Sequence, residues 1–294
     1  MLAAVFCLFS QEVNPLNLPI GRPGHTVVQS GRITNLANGE AATPGDIAKA
    51  ADGKRFVMLG EQHATAPDQA MEASVIDALV RRGRHVVVGL EMYQRPKQTY
   101  LDQFSSGALN EGDFLTQSDW KGQWGFDYGF YRPVFDLAHR YKLPLVGLNV
   151  PRDWVRSVGR KGFAGLDADA KAQLPGDMRL DMAEHRQVFD SLMGGHTMAG
   201  PTMDNMYAAQ VLWDEGMADT AVRYLEAHRP DRRTVFVVIA GSGHVMYGQG
   251  IYLRLSRRKA GDSISLVMSE SAAPVEVANG LADFVYLTPP ARKE

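Results

Sequence analysis

A chain of 294 residues is long enough to bury a sizeable core, as one large domain or as a domain with a substantial insertion. Its 45% apolar and 22% charged composition is ordinary for a soluble globular protein. With 31 basic and 33 acidic residues the net charge is −2, which gives no electrostatic reason to expect nucleic acid as a partner.

The single cysteine, Cys7, excludes an intrachain disulfide framework and a cysteine-based zinc cluster. It sits in an apolar run, residues 1–9, that is too short to cross a bilayer and has no basic stretch before it. The run reads either as the remnant of a signal or lipoprotein leader or as a disordered apolar tip. Residues 10–24 carry Pro15, Pro19 and Pro23 and read as an extended arm. The layout expected is therefore an arm over 1–24 and a single α/β domain over 25–294.

A hairpin is expected from His25, with strands Thr26–Val28 and Arg32–Thr34 around Ser30-Gly31. Thr43-Pro44 marks a helix start, with Thr43 as N-cap. The buried run Phe56–Leu59 stops at Gly60 and delivers Glu61, Gln62 and His63 just before a helix over 67–82. Strand 85–90 ends on Glu91, a helix follows from Pro96, and strand 144–148 ends on Asn149. Residues 160–228 read as a helical insertion over the strand ends, rich in methionine, with a long helix over 203–227. A further buried strand, Thr234–Ala240, runs into Gly241-Ser242-Gly243-His244, the second Gly-x-x-His at a strand end. Strands alternating with helices predict a mostly parallel, doubly wound α/β sheet flanked by helices.

In such a sheet Glu61, His63, Glu91, Asn149 and His244 converge at the carboxyl ends of the strands. Imidazole with carboxylate suits either a first-row metal such as zinc or manganese, held by Glu61, His63, Glu91 and His244, or acid–base work by the same four residues. Six methionines fall between Met178 and Met206, and Trp120, Trp124, Phe126, Tyr128 and Tyr131 crowd residues 119–133. A methionine roof over an aromatic floor suits a flat macrocycle, and tyrosinate can ligate haem iron. Trp124 and His196 are candidate haem contacts, and Tyr93, Tyr128, Tyr131 and Tyr207 candidate ligands.

Six blocks carry a family resemblance: LGEQH (59–63), GLEMYQRPKQ (89–98), the W-x3-W-x-F-x4-Y-R-P run (120–133), LNVPR (148–152), LWDEGMA (212–218) and AGSGHVMYGQGIYLRL (240–255). In that order they resemble the ChaN-like haem-binding uptake proteins, related to the Tiki/TraB proteases and erythromycin esterases. The resemblance implies an α/β core with a helical insertion, haem as ligand, a role in iron acquisition, and a cell-envelope location as an outer-membrane lipoprotein. A homodimer is a further expectation. The protease branch implies a metal-dependent peptidase site at His63, His244 and Glu61 or Glu91; the esterase branch implies hydrolytic roles for Glu61 and His63. Two departures stand out: Ala64–Gln69 lacks the further histidine common after the first block, and no convincing lipobox precedes Cys7.

Overall fold

The computed structural model describes residues 13–194 and 201–290. In chain order the strands are β1 (His25–Val28), β2 (Ile33–Asn35), β3 (Ala41–Ala42), β4 (Phe56–Glu61), β5 (His85–Gln94), β6 (Leu145–Asn149), β7 (Thr234–Gly241), β8 (Ser263–Glu270), β9 (Val275–Ala278) and β10 (Phe284–Thr288). The helices are α1 (Pro44–Ala50), α2 (Ala66–Arg81), α3 (Gln98–Ser106), α4 (Glu111–Gln117), α5 (Trp120–Gln123), α6 (Tyr128–Tyr141), α7 (Arg152–Lys161), α8 (Ala168–Ala172), α9 (Ala183–Leu192), α10 (Pro201–His228) and α11 (Ile251–Arg257).

Eight strands form one sheet in the order β3-β2-β10-β8-β4-β7-β5-β6. The six from β10 to β6 are parallel, and at one edge β2 runs against them, pairing antiparallel with both β10 and β3. Strands β4 and β7 are buried over their full length, as apolar runs covered by helices on both faces must be. Alternate residues serve alternate faces. Val57, Leu59, Val237 and Ile239 pack with α1, α2, α3 and α6, whereas Phe56, Met58, Phe236 and Val238 pack with α10 and α11. The mostly parallel α/β sheet flanked by helices is thus the fold, as the sequence predicts.

The predicted hairpin at 25–34 does not form. Strand β1 instead pairs with β9 in a separate two-stranded sheet, while β2 joins the large sheet beside β10. Turn residues announce where the chain reverses, but the distant β9 and β10 supply the partners. Helix α1 starts as read: Thr43 caps it, and Asp46 returns the bond to complete a capping box.

The far edge strand, β6, is closed by side chains. Gln98 donates Nε2–H to the Leu145 carbonyl (2.7 Å) and accepts the Gly147 N–H at Oε1 (2.9 Å), and the Thr220 hydroxyl donates to the Leu148 carbonyl (2.9 Å). One amide thereby takes the hydrogen bonds a neighbouring strand would make.

Gly89 lets β5 lie between its neighbours. A Cβ there would come 2.5 Å from Phe236 Cε1 and 2.9 Å from Leu148 Cδ1, and both rotamers are locked in the core. Gly89→Ala is therefore expected to destabilise the fold by about 1–3 kcal/mol through overpacking, read as a lower denaturation midpoint with an unchanged denaturant slope.

Candidate functional site

Strands β4 and β7 are neighbours in parallel register, with Glu61 opposite Gly241. Their onward connections leave for opposite faces, α2 packing on one and α11 on the other. This opens a crevice at the carboxyl ends, where sheets of this kind place ligands. It measures about 470 Å³ and is lined by Glu61, His63, Gln210, Ser242, His244 and Leu192, with Asn14–Leu16 of the arm on one side. Glycine makes the approach close: a Cβ on Gly60 would stand 3.0 Å from Ser242 Cα, and one on Gly241 would stand 3.0 Å from His63 Nε2.

Glu61 is buried and held from three sides. Its Oε1 accepts from His63 Nδ1 (2.7 Å) and from the Tyr131 hydroxyl (2.9 Å), and Oε2 accepts from Gln69 Nε2 (2.6 Å). The Tyr131 hydroxyl also takes the N–H of Ala64, which fixes that residue at φ 53°, a left-handed conformation rare for alanine. The turn carrying His63 is thus pinned to α6. Because Nδ1 is committed to Glu61, the free Nε2 carries the lone pair or the second proton, and it bonds to no described residue. The His63 side chain is 34% exposed, with its ring edge-on to Trp124 at 4.6 Å and 6.1 Å from Phe126. Burial opposes charge on this imidazole, but the Glu61 bond and the nearby Glu91 carboxylate outweigh it and raise its pKa.

Glu91 lies where the β5–β6 ladder loses register, between Leu90 and Gln94, an irregularity that re-aims side chains. Its Oε2 accepts the Gly241 N–H (2.7 Å) and its Oε1 stands 3.4 Å from His244 Nε2. Burial pushes Glu91 up, yet the His244 charge and bond bring its pKa below the usual value. His244 uses its other nitrogen on Asp214 Oδ1 (2.7 Å). Burial works against protonation of His244, but Glu91 and Asp214 together push it up to about 10. Asp214, wholly buried on α10, bonds His185 Nε2 with its second oxygen (2.9 Å); burial is more than offset by His244 and Arg254, which hold it well below the carboxylate range.

The structure brings Glu61, His63, Glu91 and His244 together. Asn149 sits close by but donates Nδ2–H to the Glu91 carbonyl, and so braces the strand rather than facing the crevice. The aromatic floor divides. Trp124 and Phe126 frame His63, while Tyr93 and Tyr128 are interior, packed with Phe114, Trp120 and Phe135. Burial raises the phenol pKa of Tyr93, Tyr128 and Tyr131, and takes Tyr207 up to about 12, where its hydroxyl pairs with His185 and Met182. Phenolate is disfavoured at all four. Of the methionine roof, Met203 is core, Met193 and Met206 are exposed, and His196 lies outside the described residues. The expected divalent-metal centre finds no support: His244 spends both nitrogens on carboxylates, and among the described residues no group of three or more histidine, cysteine or acidic side chains is arranged for a metal.

Sequence reading overlooked Asp214, Gln69 and Glu72. The available signal was charge inside an apolar stripe: Asp214 and Glu215 interrupt the buried face of α10, and Asp68, Gln69 and Glu72 that of α2. Glu72 is wholly buried, and burial, reinforced by the charge of nearby Glu61 and by the hydrogen bond its protonated carboxyl gives Glu61, drives its pKa far up and keeps it neutral.

With this geometry in view, the family comparison is decisive. The profile described as haem-binding uptake, Tiki superfamily, ChaN matches residues 47–255. The chain belongs to the ChaN family. Among solved structures it resembles ChaN of Campylobacter jejuni, reported with cofacial haem binding, at TM-score 0.66 and 18% identity over 86% of this chain and 95% of that one. An erythromycin esterase, EreC, in its open conformation matches at TM-score 0.47 and 15% identity, over 81% of this chain and 76% of that one. A type III effector, HopBA1, matches at 0.49 and 14%, over 85% and 95%. No curated protein matches the sequence. Among the described residues of this ChaN-family chain, no helix is long and apolar enough to cross a membrane.

Two outcomes test the buried charges. Because the His244 pKa is raised from 6.5 to about 10, its stabilising contribution is complete below about 6.5 and is lost as pH rises through 10. Stability is expected to decline over that window in the wild type. Asp214→Asn should flatten the decline and lower stability at neutral pH by about 3–5 kcal/mol, as for a broken buried ion pair; urea denaturation at several pH values measures both. Glu72→Gln should instead leave the midpoint near its wild-type value at neutral pH, since the amide supplies the neutral donor to Glu61 that the protonated acid supplies.

Proposed function

We propose that this chain is a haem-binding protein of the uptake type that takes the macrocycle at the β4–β7 crevice and presents His63 to the iron. The observation that carries the reading is the state of His63: an accessible imidazole with a free Nε2, its Nδ1–H held by a buried carboxylate, beside two aromatic rings. A carboxylate behind a ligating histidine fixes the tautomer and raises ligand basicity. Trp124, Phe126 and Leu192 offer apolar surface to the ring. Haem here is cargo, and family membership over residues 47–255 supports it. The same reading puts the protein in the cell envelope, peripheral to the outer membrane. It also makes a homodimer the unit for a cofacial pair of the kind named for the Campylobacter jejuni protein.

One observation favours a second, hydrolytic reading. Two histidine–carboxylate pairs, Glu61–His63 and Asp214–His244, open on one crevice, which suits acid–base chemistry on a polarised bond. Turnover of an activated ester that vanishes in both His63→Ala and His244→Ala would favour it, and equal turnover in all three proteins would remove it.

The haem reading is tested by titrating hemin into the protein and following the Soret band. Saturable binding with a shifted band is expected in the wild type. His63→Ala should weaken it at least about tenfold, with partial recovery of the spectrum in added imidazole. A wild-type Soret band that never moves would overturn the proposal.

A further inference from the structure

The end of the sheet remote from the crevice is strongly basic. Five helices, α1, α2, α6, α10 and α11, end there and feed the parallel strands β4, β5, β6, β7 and β8 through loops 51–55, 82–84, 142–144, 229–233 and 258–262. These loops hold ten lysines and arginines and three aspartates, in a chain whose net charge is −2. Three of the ten are neutralised: Arg82 by Asp52, Lys54 by Asp262, and Arg258 by Asp177 and Glu215. Arg55, Arg84 and Arg233 donate to backbone carbonyls of neighbouring loops, which fixes their guanidinium groups without cancelling their charge. Lys142, Arg229, Arg232 and Lys259 are exposed, and their side chains bond to none of the described residues. Against these seven stands Asp231, beside His85. At the β10 edge of the same end Asp283 faces Arg22, and Glu40 adds one acid.

Cations are welcome at helix C-termini, but five helix ends of about half a negative charge each fall well short of balancing seven cations. The placement also carries a local cost. Lys142, Arg229 and Lys259 follow α6, α10 and α11 at φ 51°, 43° and 53°, the left-handed conformation that helix ends usually give to glycine, as at Gly83 after α2. Glycine would serve the fold with less strain at all three. Charge is what the cations add.

We propose that this end of the sheet docks on an anionic lipid bilayer, so that the crevice, at the opposite ends of the same strands, opens away from the membrane. A planar surface meets the cationic end alone. A nucleic acid would extend past it onto the rest of the chain, which is acidic by difference and repels it. The five loops also contain no aromatic residue on which a base could stack.

Co-sedimentation of the full chain with vesicles of phosphatidylcholine, alone or mixed with phosphatidylglycerol, tests the docking. Binding to the mixed vesicles is expected to be at least about tenfold tighter, and to fade as salt rises from about 0.05 M to about 0.5 M and the screening length shortens. Combining Arg229→Glu, Arg232→Glu and Lys259→Glu should abolish that preference with an unchanged circular dichroism spectrum. Combining Arg160→Glu, Lys161→Glu and Lys171→Glu, an equal change of charge on α7 and α8, should leave it intact. Equal binding to both kinds of vesicle, equal loss in the two triple variants, or tighter binding to a DNA duplex at the same salt overturns the proposal. Docking does not depend on haem, so none of these outcomes alters what the hemin titration decides.

Discussion

The parallel pairing of β4 with β7 is the constraint on which the rest depends. It sets Glu61 opposite Gly241 and brings two Gly-x-x-His turns, nearly two hundred residues apart in sequence, to one crevice. A one-residue slip would send every side chain of the strand to the other face and remove Glu61 from His63. The two glycines matter for the same reason. With side chains at 60 or 241, the turn at Ser242 or the His63 ring would have to retreat.

Around that pairing the protein keeps an unusual amount of charge out of water. Asp214 serves His244 and His185 at once, Arg254 is buried beside it, and Glu215 gathers Arg254, Arg257 and Arg258. Apolar residues in these places would commonly be as stable or more so, and stability alone does not explain the arrangement. What the charges do is tie α9, α10 and α11 to the turn bearing His244, so that its ring has one orientation. The neutral acid Glu72 beneath Glu61 follows the same pattern of local cost near a site.

The layout of the core was legible in the sequence because buried parallel strands are apolar on both faces and stop abruptly at glycine. Glu61, His63, Glu91 and His244 were legible because each follows such a stop or lies at one. Asp214 was not, since its strand-end partner lies thirty residues further on and a mid-helix carboxylate usually faces solvent. The tyrosines misled for a related reason. Composition places aromatic rings near a site, but only packing shows that Tyr93 and Tyr128 fill the core under α6 while Trp124 and Phe126 remain beside His63. The 25–34 segment shows the same limit from the other side, because strand partners far along the chain override a local turn.

The amide of Gln98 on the β6 edge has a consequence for how copies of the protein meet. An incoming strand would have to evict a side chain that already satisfies a backbone carbonyl and a backbone N–H, and would gain little beyond what it displaced. The sheet is therefore a poor template for runaway polymerisation from this side, despite six parallel strands of largely aliphatic sequence. Self-association is left to side-chain surfaces, and an isologous contact between them would close at two copies rather than propagate.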